Sequence, residues 1–206
     1  MNLFDKMVLL VTGLVALYML WRFWGRYSRR KETYDLYYML GFLVLLVSGV
    51  LLIFLGYGIL VSPYVLTVAS LIPLGISIGI VREYYPSWSK AYCIFAWVGF
   101  IAIAVTSIGG MEDLKRIAVP LFHGVAGFII FLGPFFARKA PNGFWWVGIG
   151  GALIGLGGMA LAFLSAGKQL LFFSADVVNA ILAPLLLLMA LAFTWGFVKD
   201  VKAAEG

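Results

Sequence analysis

The chain is built from long apolar runs separated by short polar connections. Seven runs stand out, at approximately 5–24, 36–57, 63–83, 89–109, 116–137, 144–165 and 176–198. Each is close to the ~20 residues that a helix needs to cross a bilayer. Several are apolar around the whole helix rather than on one stripe, as a lipid-embedded or fully buried helix requires. Backbone groups in hydrocarbon must bond within their own segment, so the runs are predicted to be helices. The two-residue alternation of a membrane barrel does not occur. The pattern therefore predicts an all-α, polytopic integral membrane protein, a bundle of seven transmembrane helices forming a single domain over residues 1–206. The longest charged connection, "GRYSRRKETYD" from Gly25 to Asp35, has 11 residues and leaves no room for a second domain. The first run lacks a small-residue cleavage site and continues into "WRFWGRYSRRK", so it reads as a retained span.

Composition agrees. Hydrophobic residues make up 64% of the chain and charged residues 12%, with mean hydropathy +1.05. A soluble domain carries roughly 25% charged residues, so half of the usual solvating surface is missing. The single cysteine, Cys93, excludes an internal disulfide and a cysteine metal cage.

The net charge of +6 is unevenly spread. Connections on the side opposite the amino terminus, with the carboxyl-terminal tail, hold 11 Lys and Arg, against 4 on the amino-terminal side. Basic loops stay in the cytoplasm, which predicts a multi-pass cell-membrane protein with its amino terminus outside and its carboxyl terminus inside. The basic surface suits the anionic headgroups of the lipid bilayer, and its division among loops argues against a nucleic-acid partner. Aromatic residues such as Trp21, Trp24, Tyr34, Tyr38, Tyr84, Tyr85, Trp88 and Trp145 gather at the same ends, where amphipathic rings settle at headgroup depth.

The first three runs align with the last three at a shift near 110 residues. "TGLVAL" from Thr12 falls on "HGVAGF" from His123, Gly41 and Gly49 meet Gly150 and Gly158, and Ala69, Leu71 and Pro73 meet Ala180, Leu182 and Pro184. This predicts a 3+1+3 parallel repeat. The plan resembles that of the small SWEET-type sugar transporters and, loosely, that of microbial rhodopsins, and the first likeness implies transport. The chain departs from both groups. It has no Pro-Gln pair, and span seven has no lysine for a retinal Schiff base.

Span six carries small residues at spacings of three and four, including Gly148, Gly151, Gly155 and Gly158. Such stripes let helix backbones approach closely, within one chain or between two copies in a homo-oligomer. Pro73, Pro134 and Pro184 lie inside spans and should bend them.

The only histidine, His123, sits inside an apolar run about 10 Å below Arg116 at 1.5 Å per residue. Thr12, Thr67, Ser70, Thr106, Ser107, Asp176 and Asn179 fall at comparable depth. Polar groups in spans usually face the bundle interior or a watered cavity. A small-molecule pocket open to the outside is therefore expected, with His123, Asp176, Asn179, Thr12, Ser70 and Thr67 as ligand-binding residues. The plainer alternatives are a helix-to-helix bond for His123, back-bonding for the hydroxyls and a helix cap for Asp176.

Catalytic signatures are missing. There is no H-E-x-x-H, no glycine loop ahead of a lysine and no set of metal ligands, so the sequence leans away from an enzyme without excluding one, and no metal or cofactor is expected. Two functions remain: binding or transport of a small molecule, or a non-transporting sensor, receptor or partner subunit.

Overall fold

The computed structural model describes residues 1–165 and 174–203, and these are helical almost throughout. In chain order the helices are α1 (Leu3–Arg30), α2 (Thr33–Leu55), a 3-10 turn (Tyr57–Val61), α3 (Pro63–Ala69), α4 (Leu71–Tyr84), α5 (Pro86–Ile108), α6 (Glu112–Phe136), α7 (Trp145–Ser165) and α8 (Ala175–Ala203). Counting α3 with α4, six helices are long and apolar enough to cross a membrane, and α7 is apolar over Trp145–Gly158. Leu14, Leu17, Val50, Ile101, Phe128 and Leu188 are exposed on the outside of the bundle, a surface suited to hydrocarbon rather than water.

The helix ends follow local chemistry. Asn2 opens α1 with a capping box: its side chain accepts from the Asp5 amide at 2.8 Å, and the Asp5 carboxylate accepts from the Asn2 amide at 3.2 Å. Lys31 closes α1 with φ 56°, and Gly56 closes α2 with φ 72°, where a glycine carries no steric cost. The break between α3 and α4 falls at Ser70. Pro73 has no N–H for the Ala69 carbonyl and its ring crowds that oxygen, while the Ser70 hydroxyl donates to the Thr67 carbonyl at 2.7 Å.

The predicted runs all become helices, with one correction. The 11-residue connection expected at Gly25–Asp35 shrinks to Lys31 and Glu32, because α1 continues to Arg30 and α2 starts at Thr33. Arg29 and Arg30 lie in the last turn of α1, where cations favour continuation of the helix. At the other end of the chain α8 continues to Ala203.

Six helices form a closed ring. α1 packs on α2, α2 on α4, α4 on α6, α6 on α7, α7 on α8, and α8 returns to α1. The remaining helix, α5, packs outside the ring against α3, α4 and α6. Tyr92 fixes it by donating to the Ser77 hydroxyl on α4 at 2.7 Å.

Small residues set the closest crossings. A Cβ on Gly75 would stand 2.8 Å from the Tyr37 carbonyl and 3.1 Å from the Gly41 nitrogen, so α2 and α4 touch backbone to backbone. A Cβ on Gly151 would stand 2.7 Å from the Ile130 carbonyl carbon, and one on Gly148 would stand 2.6 Å from the Phe131 carbonyl oxygen. These are the expected packing contacts of span six, made against α6. Gly158 faces His123 of α6, whose Nε2 would be 3.2 Å from an added Cβ. Gly155 differs: no atom of the described residues lies within 4 Å of its Cβ position, so it does not carry the close approach.

Candidate functional site: a buried ion cage

The end of the ring that carries the basic connections is closed by charge. Arg26 of α1 is 1% exposed, and its guanidinium meets carboxylates from three other helices. Nε donates to Asp35 Oδ1 of α2 at 2.6 Å. Nη1 lies 3.0 Å from Glu83 Oε1 of α4 and also donates to Asp200 Oδ2 of α8. Asp35 is fully buried, and the Glu83 and Asp200 side chains are 11% and 8% exposed.

Tyrosines complete the shell. Tyr38 donates to Glu83 Oε2 at 2.8 Å, and Tyr84 donates to Asp200 Oδ1 at 2.5 Å. The guanidinium also lies over the rings of Tyr34, Phe23 and Tyr38, with its carbon 5.0, 5.4 and 5.8 Å from the centroids, within cation–π range. Beneath it Phe23, Phe42, Phe144, Phe193 and Phe197 pack edge to face into a fully buried plug.

Local sequence explains how four helices bring these groups together. In α1 the buried positions Leu9, Thr12, Ala16, Met19, Phe23 and Arg26 are spaced three and four apart, so Arg26 is the last residue on the inward stripe. In α2 the stripe is Asp35, Tyr38, Phe42, Leu45, Gly49 and Leu52. In α8 Ala183, Ala190, Phe193, Phe197 and Asp200 share one buried face. Each charge stands on the core face of its helix, one turn or less inside the helix end.

The positions of the acids matter. Asp35 lies in the first turn of α2, where the helix dipole favours an anion. Glu83 and Asp200 lie near the carboxyl ends of α4 and α8, where it does not. These two acids are therefore not caps, and what holds them is Arg26 with the tyrosines. One oxygen is left over: Asp35 Oδ2 is buried with no hydrogen-bond partner among the described residues.

The residues expected to form an outer pocket have more local partners. Thr12 donates to the Val8 carbonyl at 2.9 Å, Thr67 to Pro63 at 2.8 Å and Thr106 to Ala102 at 2.7 Å, each within its own helix. Ser70 bonds across the α3–α4 break, as described above. Asn179 is exposed. Asp176 belongs to the first turn of α8, and its side chain lies outside the described residues, as do Lys168 and Gln169 of the preceding connection. His123 Nδ1 is buried and has no hydrogen-bond partner among the described residues, and the Ser107 hydroxyl is in the same condition. The structure thus joins His123 to α7 at Gly158 and draws the Thr12, Thr67 and Thr106 hydroxyls back onto their own helices.

The cage was missed in the sequence because Arg26, Asp35 and Asp200 read as connection or tail residues. The signal was present in the three-and-four spacing, which runs past the apolar stretches onto charged positions. Among the described residues no three of His, Cys, Asp and Glu are placed to hold a metal ion. In comparisons with known proteins, no family model, no curated protein and no solved structure matches this chain.

Proposed function

We propose that the chain is a cell-membrane protein that binds a small molecule in its helix ring and transports it, with the Arg26 cage as the closed gate at the cytoplasmic end. The observation that carries this reading is the contact of one buried arginine with carboxylates on three other helices, at one end of a six-helix ring. Ionisable residues inside membrane bundles are expensive to place and tend to mark substrate and ion pathways. A network joining α1, α2, α4 and α8 is a two-state element, because it breaks when any one of these helices moves away.

Two further observations support the reading. The basic bias of the connections supports a cage at the cytoplasmic end and an amino terminus outside. The order of neighbours in the ring is also unchanged when α1 is exchanged with α6, α2 with α7, and α3–α4 with α8. That is the symmetry expected of a 3+1+3 repeat with α5 as the connecting span. Parallel repeats of this kind support rocking of one half against the other. In this state the gate is shut, and a ligand would reach the ring from the side of His123.

The test is tracer flux in proteoliposomes over a panel of small solutes, comparing the wild type with Arg26→Lys. Saturable uptake that Arg26→Lys changes supports the reading. Absence of flux for every solute favours the alternative, a non-transporting sensor, receptor or partner subunit.

A further inference from the structure

The hydrogen bonds of the cage leave its charge unbalanced. The groups that face one another there are Arg26 from α1, Tyr34, Asp35 and Tyr38 from α2, Glu83 and Tyr84 from α4, and Asp200 from α8. Arg30, on the exposed last turn of α1, is the next positive charge near Asp35. With all three acids ionised, Arg26 and the acids it contacts would sum to two negative charges at a site no more than 11% exposed. Burying charge without a partner is costly. Two of the acids also stand at helix ends whose dipole opposes them. The tyrosine hydroxyls relieve Glu83 and Asp200, but Asp35 Oδ2 has no hydrogen-bond partner among the described residues.

A bound cation would reduce the imbalance. A metal ion needs several ligands around it, and no three acidic, histidine or cysteine side chains among the described residues are placed to supply them. A proton needs only one carboxylate oxygen.

We propose that the cage is a proton-binding site, in which one proton shared among Asp35, Glu83 and Asp200 holds α1, α2, α4 and α8 together. The step is a single O–H bond made with a proton from water and returned to water when the cage opens. Loss of the proton leaves a further negative charge in the closed cage and pushes the carboxylate-bearing helices apart. In its consequence this rests on the transport reading: a proton bound in the closed state and released in the open one would couple its movement to that of the ligand.

The proton can be tested without any flux. Infrared spectra of the wild type in lipid, recorded over a pH series in H2O and D2O, should show a protonated-carboxyl C=O band. That band should shift in D2O and fade as pH rises. At least one of Asp35→Asn, Glu83→Gln and Asp200→Asn should abolish it. A wild type with no such band, a band indifferent to pH, or a band that survives in all three variants would overturn the proposal. The wild-type titration stands even if a variant fails to fold. Because no ligand is used, failure here leaves the transport reading intact, and absence of flux leaves the proton site intact.

Discussion

Asp35 and Arg26 are nine residues apart in the chain and 2.6 Å apart in space, and both side chains are sealed from solvent. The tight turn at Lys31 and Glu32 makes this contact, because it returns α2 directly alongside the end of α1. Glu83 and Asp200 then join from α4 and α8, so a local pair becomes a clamp on four helices.

Removing the cation should be severe. Arg26→Met leaves three buried acids facing one another, and loss of one member of a buried ion pair costs about 3–5 kcal/mol. Unfolding of purified protein in mild detergent should show a large fall in melting temperature. Arg26→Lys should restore only part of it, since an ammonium lacks the planar fork that reaches Asp35 through Nε while Nη1 holds Glu83 and Asp200. Equal stability of Arg26→Met and the wild type would show that the cage does not hold the helices.

Glycines of α7 should separate into two groups. Gly151→Leu drives a side chain into the backbone of α6 at Ile130 and Phe131, and overpacking of this kind typically costs about 1–3 kcal/mol. Gly155→Leu meets open space among the described residues and should be far milder. Melting temperatures of the two variants, measured side by side, check this. Similar losses for both would contradict the α6–α7 geometry.

The α2–α4 crossing permits a stricter comparison. Gly75→Ala adds one methyl 2.8 Å from the Tyr37 carbonyl oxygen, whereas Gly41→Ala meets the Ile76 side chain at 2.9 Å and a backbone oxygen, that of Ile72, only at 3.1 Å. A side chain can rotate away and a helix backbone cannot. Gly75→Ala should therefore lower stability more than Gly41→Ala, and the reverse order would show that the crossing relaxes elsewhere.

His123→Ala breaks no hydrogen bond at Nδ1, because none is made there. A bond tying two membrane helices would contribute about 0.6–2 kcal/mol. The variant should therefore show no loss beyond that of packing against α7. If the ring takes a ligand from this side, His123→Ala should weaken its binding while leaving the melting temperature nearly unchanged. A large fall in stability would assign the imidazole a structural bond instead.

Much of the fold was legible in the sequence, because long apolar runs leave so few options. Uninterrupted apolar runs gave the helices, and Gly148 and Gly151 gave the face that meets α6. Hydropathy is blind where a helix leaves the apolar zone while its inner face stays in the core. Arg26, Asp35 and Asp200 occupy such places, and only the three-and-four spacing behind Phe23, Tyr38 and Phe197 marks them. The partnership of Glu83 with Arg26, 57 residues away, has no local signature. The outer polar residues show the opposite effect. Their shared depth suggested one pocket, but a hydroxyl such as that of Thr12 or Thr67 has an acceptor four residues back on its own helix.

The claim that Arg26 shuts one end of the ring is tested most directly by thiol labelling with a membrane-impermeant reagent. In a Cys93→Ser background, Val201→Cys places a thiol at a fully buried position one residue beyond Asp200, and Ile130→Cys places one in the fully buried centre. With Arg26 present, neither should react. With Arg26→Met, Val201→Cys should react from the side of the cage, while Ile130→Cys stays protected and so reports that the bundle is still folded. A Val201→Cys thiol that remains unreactive after Arg26 is removed would contradict the gate.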